Sequence, residues 1–250
     1  FSQTRLFWLS LSPVEKEHTI RAYTFELGKC YEQAVKERQL QCLANVDPVL
    51  CSEVATGLGL PAPEPTVPLA DVAPSPALSP VGSAFPPDGR MVGIVVDPDG
   101  DLTGLDALRT TIDAAGMVPL VIAPHGGMVD GVPVQRTFAT ARSVEFDALL
   151  VAGSPAPAAD ALPHRDAKGG AGGPDAVPLD PRVDLLLDEC YRHCKVIGAW
   201  GEGVTALTSA GLLGGSPGVV TGDDPAQVFA QVSEQLAMHR VWERFPVSVA

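Results

Sequence analysis

The 250-residue sequence lacks several features that would direct it to common classes of protein. No apolar run approaches the ~20 residues that a membrane helix needs. Neither a G-x-G-x-x-G pattern nor a Walker A pattern is present, which argues against the usual glycine-rich phosphate loops. Basic residues are few, with 17 Lys and Arg against 30 Asp and Glu, and the net charge is −13. Such a surface repels nucleic acid and anionic membranes, so we expect neither as a partner.

Cysteine is also sparse, with five residues and no C-x-x-C pair: Cys30, Cys42, Cys51, Cys190 and Cys194. The odd number and the spacing match no disulfide framework, which predicts reduced thiols and, by default, a cytoplasmic protein. The sequence shows no signal peptide. It begins at Phe1 with charge-rich helical sequence, and we expect it to be the interior of a longer protein whose targeting signal would lie upstream.

Residues 1–60 predict an α-helical segment. Ser12-Pro-Val-Glu fits a capping box with proline at the first helical position. Asp47-Pro48 is a second helix start, and glycine at 57 or 59 ends the helix that follows. The segment is too short to bury its many aromatic side chains alone, so we expect it to need a partner surface.

Residues 61–90 predict a linker, because nine of these thirty residues are proline and little periodicity remains. A polyproline-like chain would span up to ~3.1 Å per residue. This segment separates the helical residues from a domain over 91–250.

Residues 91–250 alternate between apolar strands and amphipathic helices, which is typical of an α/β domain with a mostly parallel sheet covered on both faces. Helices are predicted over 105–115, 183–194 and 203–210, with a closing helix over 226–240, and Asp101 is predicted to cap the first of them. A strand is expected to end at Val220, and residues 155–180 predict a long loop. The predicted buried strands include Met91–Val96, Val118–Ile122, Phe146–Val151 and Val196–Trp200.

The stretch Lys195-Val-Ile-Gly-Ala-Trp-Gly-Glu-Gly predicts a strand that enters a tight turn and leaves as a helix, the shape of a nucleophile elbow. The turn position is Gly201, flanked by Trp200 and Glu202. Because glycine carries no nucleophile, this pattern favours a structural turn without chemistry. No catalytic residue is predicted.

Weaker candidates are interpreted structurally. Cys190 and Cys194 lie one helical turn apart without further metal ligands, which favours core thiols. His125 follows a strand in a glycine-rich turn and is interpreted as a solvated residue. The Asp97-Pro-Asp-Gly-Asp run lacks the rest of a calcium-binding loop, so no metal site is predicted.

Two stretches carry a family resemblance. Residues 3–29, with the Ser12-Pro-Val-Glu-Lys-Glu-His run, together with Leu43-Ala-Asn-Val-Asp-Pro, resemble the helical segment that follows the barrel of large-subunit heme catalases. Residues 91–250, with Phe146-Asp-Ala-Leu-Leu-Val-Ala-Gly, Tyr191-Arg-His-Cys-Lys-Val-Ile-Gly-Ala-Trp-Gly and His239-Arg-Val-Trp-Glu-Arg, resemble the extra C-terminal domain of the same catalases.

The resemblance implies a flavodoxin-like three-layer αβα sandwich of the class I amidotransferase or DJ-1/PfpI type. It implies that the parent dismutes hydrogen peroxide at a heme held upstream, that this chain holds no heme, and that its partners are the catalase core and neighbouring subunits of a homotetramer. Enzymes of the DJ-1/PfpI type carry an elbow cysteine where this sequence has Gly201. Asp97 or Asp99 lies near the acidic partner expected for that cysteine.

Three functional hypotheses follow. The first is a non-catalytic domain that stabilises the catalase tetramer. The second is holdase-like binding of unfolding proteins through exposed apolar residues of the helical segment. The third is a thiol enzyme that uses Cys190 or Cys194 in place of the missing elbow cysteine.

Overall fold

A computed structural model describes residues 1–157, 178–212 and 214–244. These residues form two compact units, one over 1–81 and one over 82–244. Most of the predicted loop at 155–180 lies outside the described residues. Within the described part of the chain, no helix is both long enough and apolar enough to cross a membrane.

The first unit is helical. The Ser12 capping box is confirmed, because the Glu15 amide donates to Ser12 Oγ at 3.4 Å and the Ser12 amide donates to Glu15 Oε2 at 2.8 Å. Asp47 caps the last helix by accepting from the Val49 amide at 3.0 Å. The four helices are α1 (Ser2–Ser10), α2 (Pro13–Gly28), α3 (Gln33–Val46) and α4 (Pro48–Leu58).

The core of the helical unit draws on all four helices through Trp8, Leu27, Leu43 and Val54, among others. It does not absorb all the aromatic side chains. The exposed ones are Phe1, Phe7, Phe25 and Tyr31, the last of them fully exposed. The unit therefore presents aromatic surface to solvent.

Residues 61–81 group with the helical unit. Apart from one 3-10 turn at Pro76–Leu78, they have no helix or strand. Seven side-chain hydrogen bonds involve these residues, and six of them join the segment to α1 or α3. The linker assignment for 61–90 stays a prediction.

The second unit is a mixed α/β structure, as predicted. Its six-stranded sheet has the order β5-β2-β1-β6-β7-β8, and every pairing among these strands is parallel. The two remaining strands form a separate antiparallel hairpin. The strands are β1 (Met91–Val95), β2 (Val118–Ala123), β3 (Gly127–Val129), β4 (Val132–Val134), β5 (Arg136–Thr137), β6 (Ala148–Val151), β7 (Val196–Trp200) and β8 (Val219–Gly222).

Helices cover both faces of the sheet. Successive residues of a strand point to opposite faces, so neighbouring residues show which helices pack on each face. Side chains of α5 (Leu105–Ala114) and α8 (Pro225–Leu236) share one apolar cluster with Ile94. Side chains of α6 (Pro181–Arg192) and α7 (Glu202–Ser209) share a second cluster with the next residue, Val95. The sheet is thus buried on both sides, as its continuous apolar strands predicted.

Three local predictions are wrong. Asp101 does not cap α5; it accepts from the Thr103 amide at 2.9 Å in the turn before the helix, which begins after Gly104. The strand that was predicted to end at Val220 instead begins at Val219 and continues to Gly222. The closing helix stops at Leu236, because long-range hydrogen bonds draw the following backbone away from the helix: the Phe85 amide donates to Ala237 O, and the Val241 amide donates to Cys194 O, each at 2.7 Å.

Candidate functional site

The candidate site is the turn between β7 and α7. Every residue of β7 is buried, and α7 begins two positions after the strand ends. Gly201 makes the connection with φ 52° and ψ −130°, a positive-φ conformation that glycine adopts readily and other residues adopt only with strain. A Cβ atom placed on Gly201 would have no heavy atom within 4 Å, so the turn position faces open space.

The residues two positions before and two positions after Gly201 are small because the turn packs tightly. A Cβ atom on Gly203 would lie 2.0 Å from the carbonyl oxygen of Val151 in β6, so only glycine fits there. Ala199, two positions before the turn, is fully buried. Small residues two positions before and after a projecting turn residue are the sequence pattern of a nucleophile elbow, here with glycine at its centre.

The carboxyl ends of three neighbouring strands meet at this turn. Glu202 Oε2 lies 3.2 Å from the position of a Cβ on Gly100, which places the Glu202 carboxylate against the loop after β1. Gly153, which follows β6, lies against Asp97: a Cβ atom placed on Gly153 would be 2.7 Å from Asp97 Cβ. Asp97 in turn accepts from the Asp99 amide at 3.1 Å. The residues that the structure describes at this turn therefore bring together carboxylates and backbone, and the turn position itself carries no side chain.

His125 and Trp200, two further residues considered from the sequence, differ in their exposure. His125 is exposed in the connection between β2 and the hairpin. Trp200 is 8% exposed and belongs to the core. Among the described residues, no group of three or more His, Cys, Asp or Glu side chains could hold a metal ion.

Cys190 and Cys194 lie before β7 begins, whereas Gly201 follows its last residue. A strand of five residues spans about 17 Å, so these thiols are remote from the turn. Cys190 is fully buried, and burial raises the pKa of its thiol to about 12. Cys194 is 1% exposed. Both side chains have the environment of core residues.

Sequence analysis did not assign roles to the charged residues near these cysteines. Lys195 is buried and donates from Nζ to the carbonyl oxygen of Ser143. Arg244 donates to three carbonyl oxygens and lies 4.0 Å above the Tyr191 ring. Their carbonyl partners lie 27 to 53 positions away in the sequence, and no local pattern indicates them.

Comparison with known proteins identifies the family of the chain. A family model described as the C-terminal domain found in long catalases matches residues 88–246. The chain belongs to this family of catalase C-terminal domains. A second model, described as catalase-related immune-responsive, matches residues 1–58, so the helical unit of this catalase C-terminal region has a match of its own.

Three named relatives align along almost the whole catalase C-terminal region. Catalase HPII of Pseudomonas aeruginosa is 33% identical, Catalase HPII of Mycobacterium avium 32% and Catalase-2 of Bacillus subtilis 30%, each over 98% of this chain. The aligned part is 33%, 35% and 34% of these relatives, respectively. The chain therefore spans about a third of the length of the catalases that it matches.

A cysteine introduced at the turn tests its geometry. We expect Gly201→Cys to lower the free energy of unfolding by about 1–3 kcal/mol, because the backbone conformation at 201 disfavours side chains. We also expect one additional thiol that reacts rapidly with a disulfide reagent, because the position faces open space. Gly126→Cys is the matched control, since Gly126 has equal room and no positive φ. A Gly201→Cys protein as stable as this control would contradict the strained turn.

The native cysteines are expected to react in two groups. At pH 8, Cys42, which is exposed, and Cys30, which is half-buried, should be modified first. Cys51, Cys190 and Cys194 should react only after unfolding in guanidinium, because they are buried. Mass spectrometry of alkylated peptides separates the groups, and rapid native modification of Cys190 or Cys194 would contradict their placement in the core.

Proposed function

We propose that this chain is a non-catalytic C-terminal portion of a long heme catalase and that it stabilises the parent enzyme. The observation that carries the proposal is the turn at Gly201. The domain keeps the strand, the tight turn and the helix of an elbow, but the position from which a nucleophile would project is glycine. A fold that retains this architecture without a reactive group is suited to a structural role.

The fold assignment is part of the proposal. The order β2-β1-β6-β7-β8 within the sheet, with helices on both faces, supports a flavodoxin-like sandwich of the class I amidotransferase type. In that assignment Gly201 occupies the elbow position, and Asp97 or Asp99 occupies the place of the acidic partner. Residues 1–60, 61–90 and 91–250 then correspond to the helical segment, the linker and the α/β domain.

We assign heme and peroxide dismutation to the upstream part of the parent. Two of the three tyrosines do not fit a heme ligand: Tyr31 is fully exposed, and the ring of Tyr191 lies beneath the guanidinium of Arg244. Tyr23 lines a cavity of about 220 Å³ between helices of the first unit. The partners that we propose are the catalase core and the neighbouring subunits of a homotetramer in the cytoplasm.

The direct test compares this chain with its full-length parent. After incubation with hemin, the chain should show no Soret band beyond that of free hemin and no oxygen release from hydrogen peroxide. The parent, treated identically, should show both. Saturable hemin binding with peroxide turnover by this chain alone would contradict the proposal.

A second candidate function is holdase-like binding of unfolding proteins. The observation in its favour is the exposed aromatic surface of the helical unit, with Phe7 at 53% and Phe25 at 65% exposure. Light scattering of a heat-labile enzyme tests it, with serum albumin as control. A substoichiometric amount of this chain should suppress scattering, and Phe7→Ser with Phe25→Ser should abolish the effect. Equal scattering with and without the chain would end this candidate.

The third hypothesis, a thiol enzyme, is not favoured, because Cys190 and Cys194 are 0% and 1% exposed and cannot meet a substrate without local opening. Turnover of methylglyoxal that disappears when both are changed to alanine would restore it.

A further inference from the structure

The proline-rich residues that follow α4 are held against the four helices by side chains of α1 and α3. Four such side chains reach them over a stretch from 64 to 75. Gln41 donates to the carbonyl oxygen of Glu64 at 2.9 Å, at the exposed end of this stretch. The other three are Asn45, Arg5 and Ser10.

Asn45 makes the most specific of these contacts. Its side-chain oxygen accepts from the Thr66 amide at 2.8 Å, and its side-chain nitrogen donates to Thr66 Oγ1 at 3.1 Å. Asn45 is only 6% exposed, and the other buried residues of its helix are apolar. A buried amide is costly unless it is hydrogen-bonded, and the partners that satisfy this one belong to the proline-rich segment.

Ser10 anchors the other end of the stretch. It is 7% exposed, donates from Oγ to Leu6 O at 2.7 Å and accepts from the Ser75 amide at 2.8 Å. Two polar side chains that are more than nine-tenths buried, one on α3 and one on α1, therefore both use backbone amides of the segment. The segment thus supplies hydrogen-bond donors to two buried side-chain oxygens, and the helices alone would leave these oxygens without those donors.

Arg5 links the middle of the segment to the helix junction. Its Nε donates to Ala70 O at 3.1 Å, while Nη1 donates to Val46 O and to Asp47 Oδ2, each at 2.8 Å. Asp47 is also the residue that caps α4. The same guanidinium thus fixes the end of α3, the start of α4 and the segment.

We propose that the helical unit carries a binding groove for an extended, proline-rich peptide, and that residues 64–75 of the same chain are its ligand. The contacts are those of peptide recognition, since they are made to backbone carbonyl and amide groups of an extended chain. Proline suits such a ligand because it restricts the unbound conformations and lowers the entropy lost on docking. The segment is therefore a docked strap that completes the helical unit, and this inference does not depend on the function proposed above.

Hydrogen exchange of the intact chain tests the strap. The Thr66 and Ser75 amides should exchange at least tenfold more slowly than in an unstructured peptide. Asn45→Ala should accelerate exchange at Thr66 at least tenfold, and Ser10→Ala should do so at Ser75. Gln33→Ala is the matched control on α3, because the side chain of Gln33 donates within its own helix, to Glu37 at 2.6 Å, and makes no hydrogen bond to residues 61–81. It should change neither amide.

Either of two results would overturn the inference. One is exchange at Thr66 and Ser75 in the unaltered protein at the rate of an unstructured peptide. The other is equal acceleration of all amides of the helical unit by both variants, which would show that the segment does not dock as a separate ligand.

Discussion

Gly203→Ala is expected to lower the free energy of unfolding by at least about 3 kcal/mol, because the added carbon would lie 2.0 Å from Val151 O and 2.6 Å from Val151 C. Both atoms are backbone of a central strand, so no flexible side chain can move aside. Relief requires α7 to shift away from β6, which separates apolar side chains packed between them, including Ala206 and Leu207. Chemical denaturation followed by tryptophan fluorescence measures the loss.

Gly126→Ala provides the control for this prediction. Gly126 belongs to the same unit, has no positive φ, and a Cβ there would meet nothing within 4 Å. Its substitution should change the free energy of unfolding by no more than about 0.5 kcal/mol. If Gly203→Ala proved equally mild, the close approach of α7 to β6, and with it the tight turn at Gly201, would be contradicted.

Arg244→Ala is expected to lower the free energy of unfolding by about 3 kcal/mol, because the guanidinium joins parts of the chain that are distant in sequence. It donates to Pro217 O at 2.7 Å, to Lys195 O at 2.7 Å and to Tyr191 O at 3.0 Å, and it stacks on the Tyr191 ring. Bonds from a charged donor are among the stronger ones, and their loss would leave carbonyl oxygens without this donor. Burial lowers the pKa of Arg244 to about 10, which still leaves it charged at neutral pH.

Two further variants make the Arg244 prediction specific. Arg244→Lys keeps the charge but loses the planar guanidinium with its several donors and its stacking on Tyr191. It should therefore recover less than half of the stability that Arg244→Ala loses. Arg192→Ala removes a more exposed arginine, whose Nη1 atom lies 4.0 Å from Asp188 Oδ2. This change should lower the free energy of unfolding by no more than about 0.5 kcal/mol. Denaturation midpoints of the three proteins decide the matter, and full stability in Arg244→Lys would contradict a role for the planar guanidinium.

Local sequence patterns predicted the class of the second unit and the position of its turn. Continuous apolar strands separated by amphipathic helices require a sheet that is covered on both faces, as observed. The turn at Gly201 was also predictable, because glycine and alanine spacing around 199–203 reports local steric needs. The Ser12 capping box was predictable for the same reason, since its two partners are three residues apart.

Features that depend on distant partners were not predictable in this way. The end of α8 at Leu236 is set by hydrogen bonds to Phe85 and Cys194, and the helical periodicity of 226–240 carries no trace of them. Proline-rich composition predicted an extended segment but not that Asn45 and Ser10 bind it. The hydrogen bonds from Arg244 to three carbonyl oxygens were not predicted, because these partners have no sequence signature.

The docked strap changes how the stabilising role should be tested. A parent truncated after residue 60 would lose the segment that binds Asn45 and Ser10, so its helical unit would be damaged directly. A parent truncated after residue 81 keeps the strap and removes only the α/β unit. The second truncation therefore isolates the contribution of that unit.

The most direct measurement is the rate of thermal inactivation of the full-length parent, with and without residues 82–250, at equal heme content. We expect equal peroxide turnover per heme at 25 °C and an inactivation half-life at elevated temperature that is at least tenfold shorter in the truncated protein. An unchanged half-life, or loss of turnover at 25 °C in a fully heme-loaded truncated protein, would contradict a non-catalytic stabilising domain.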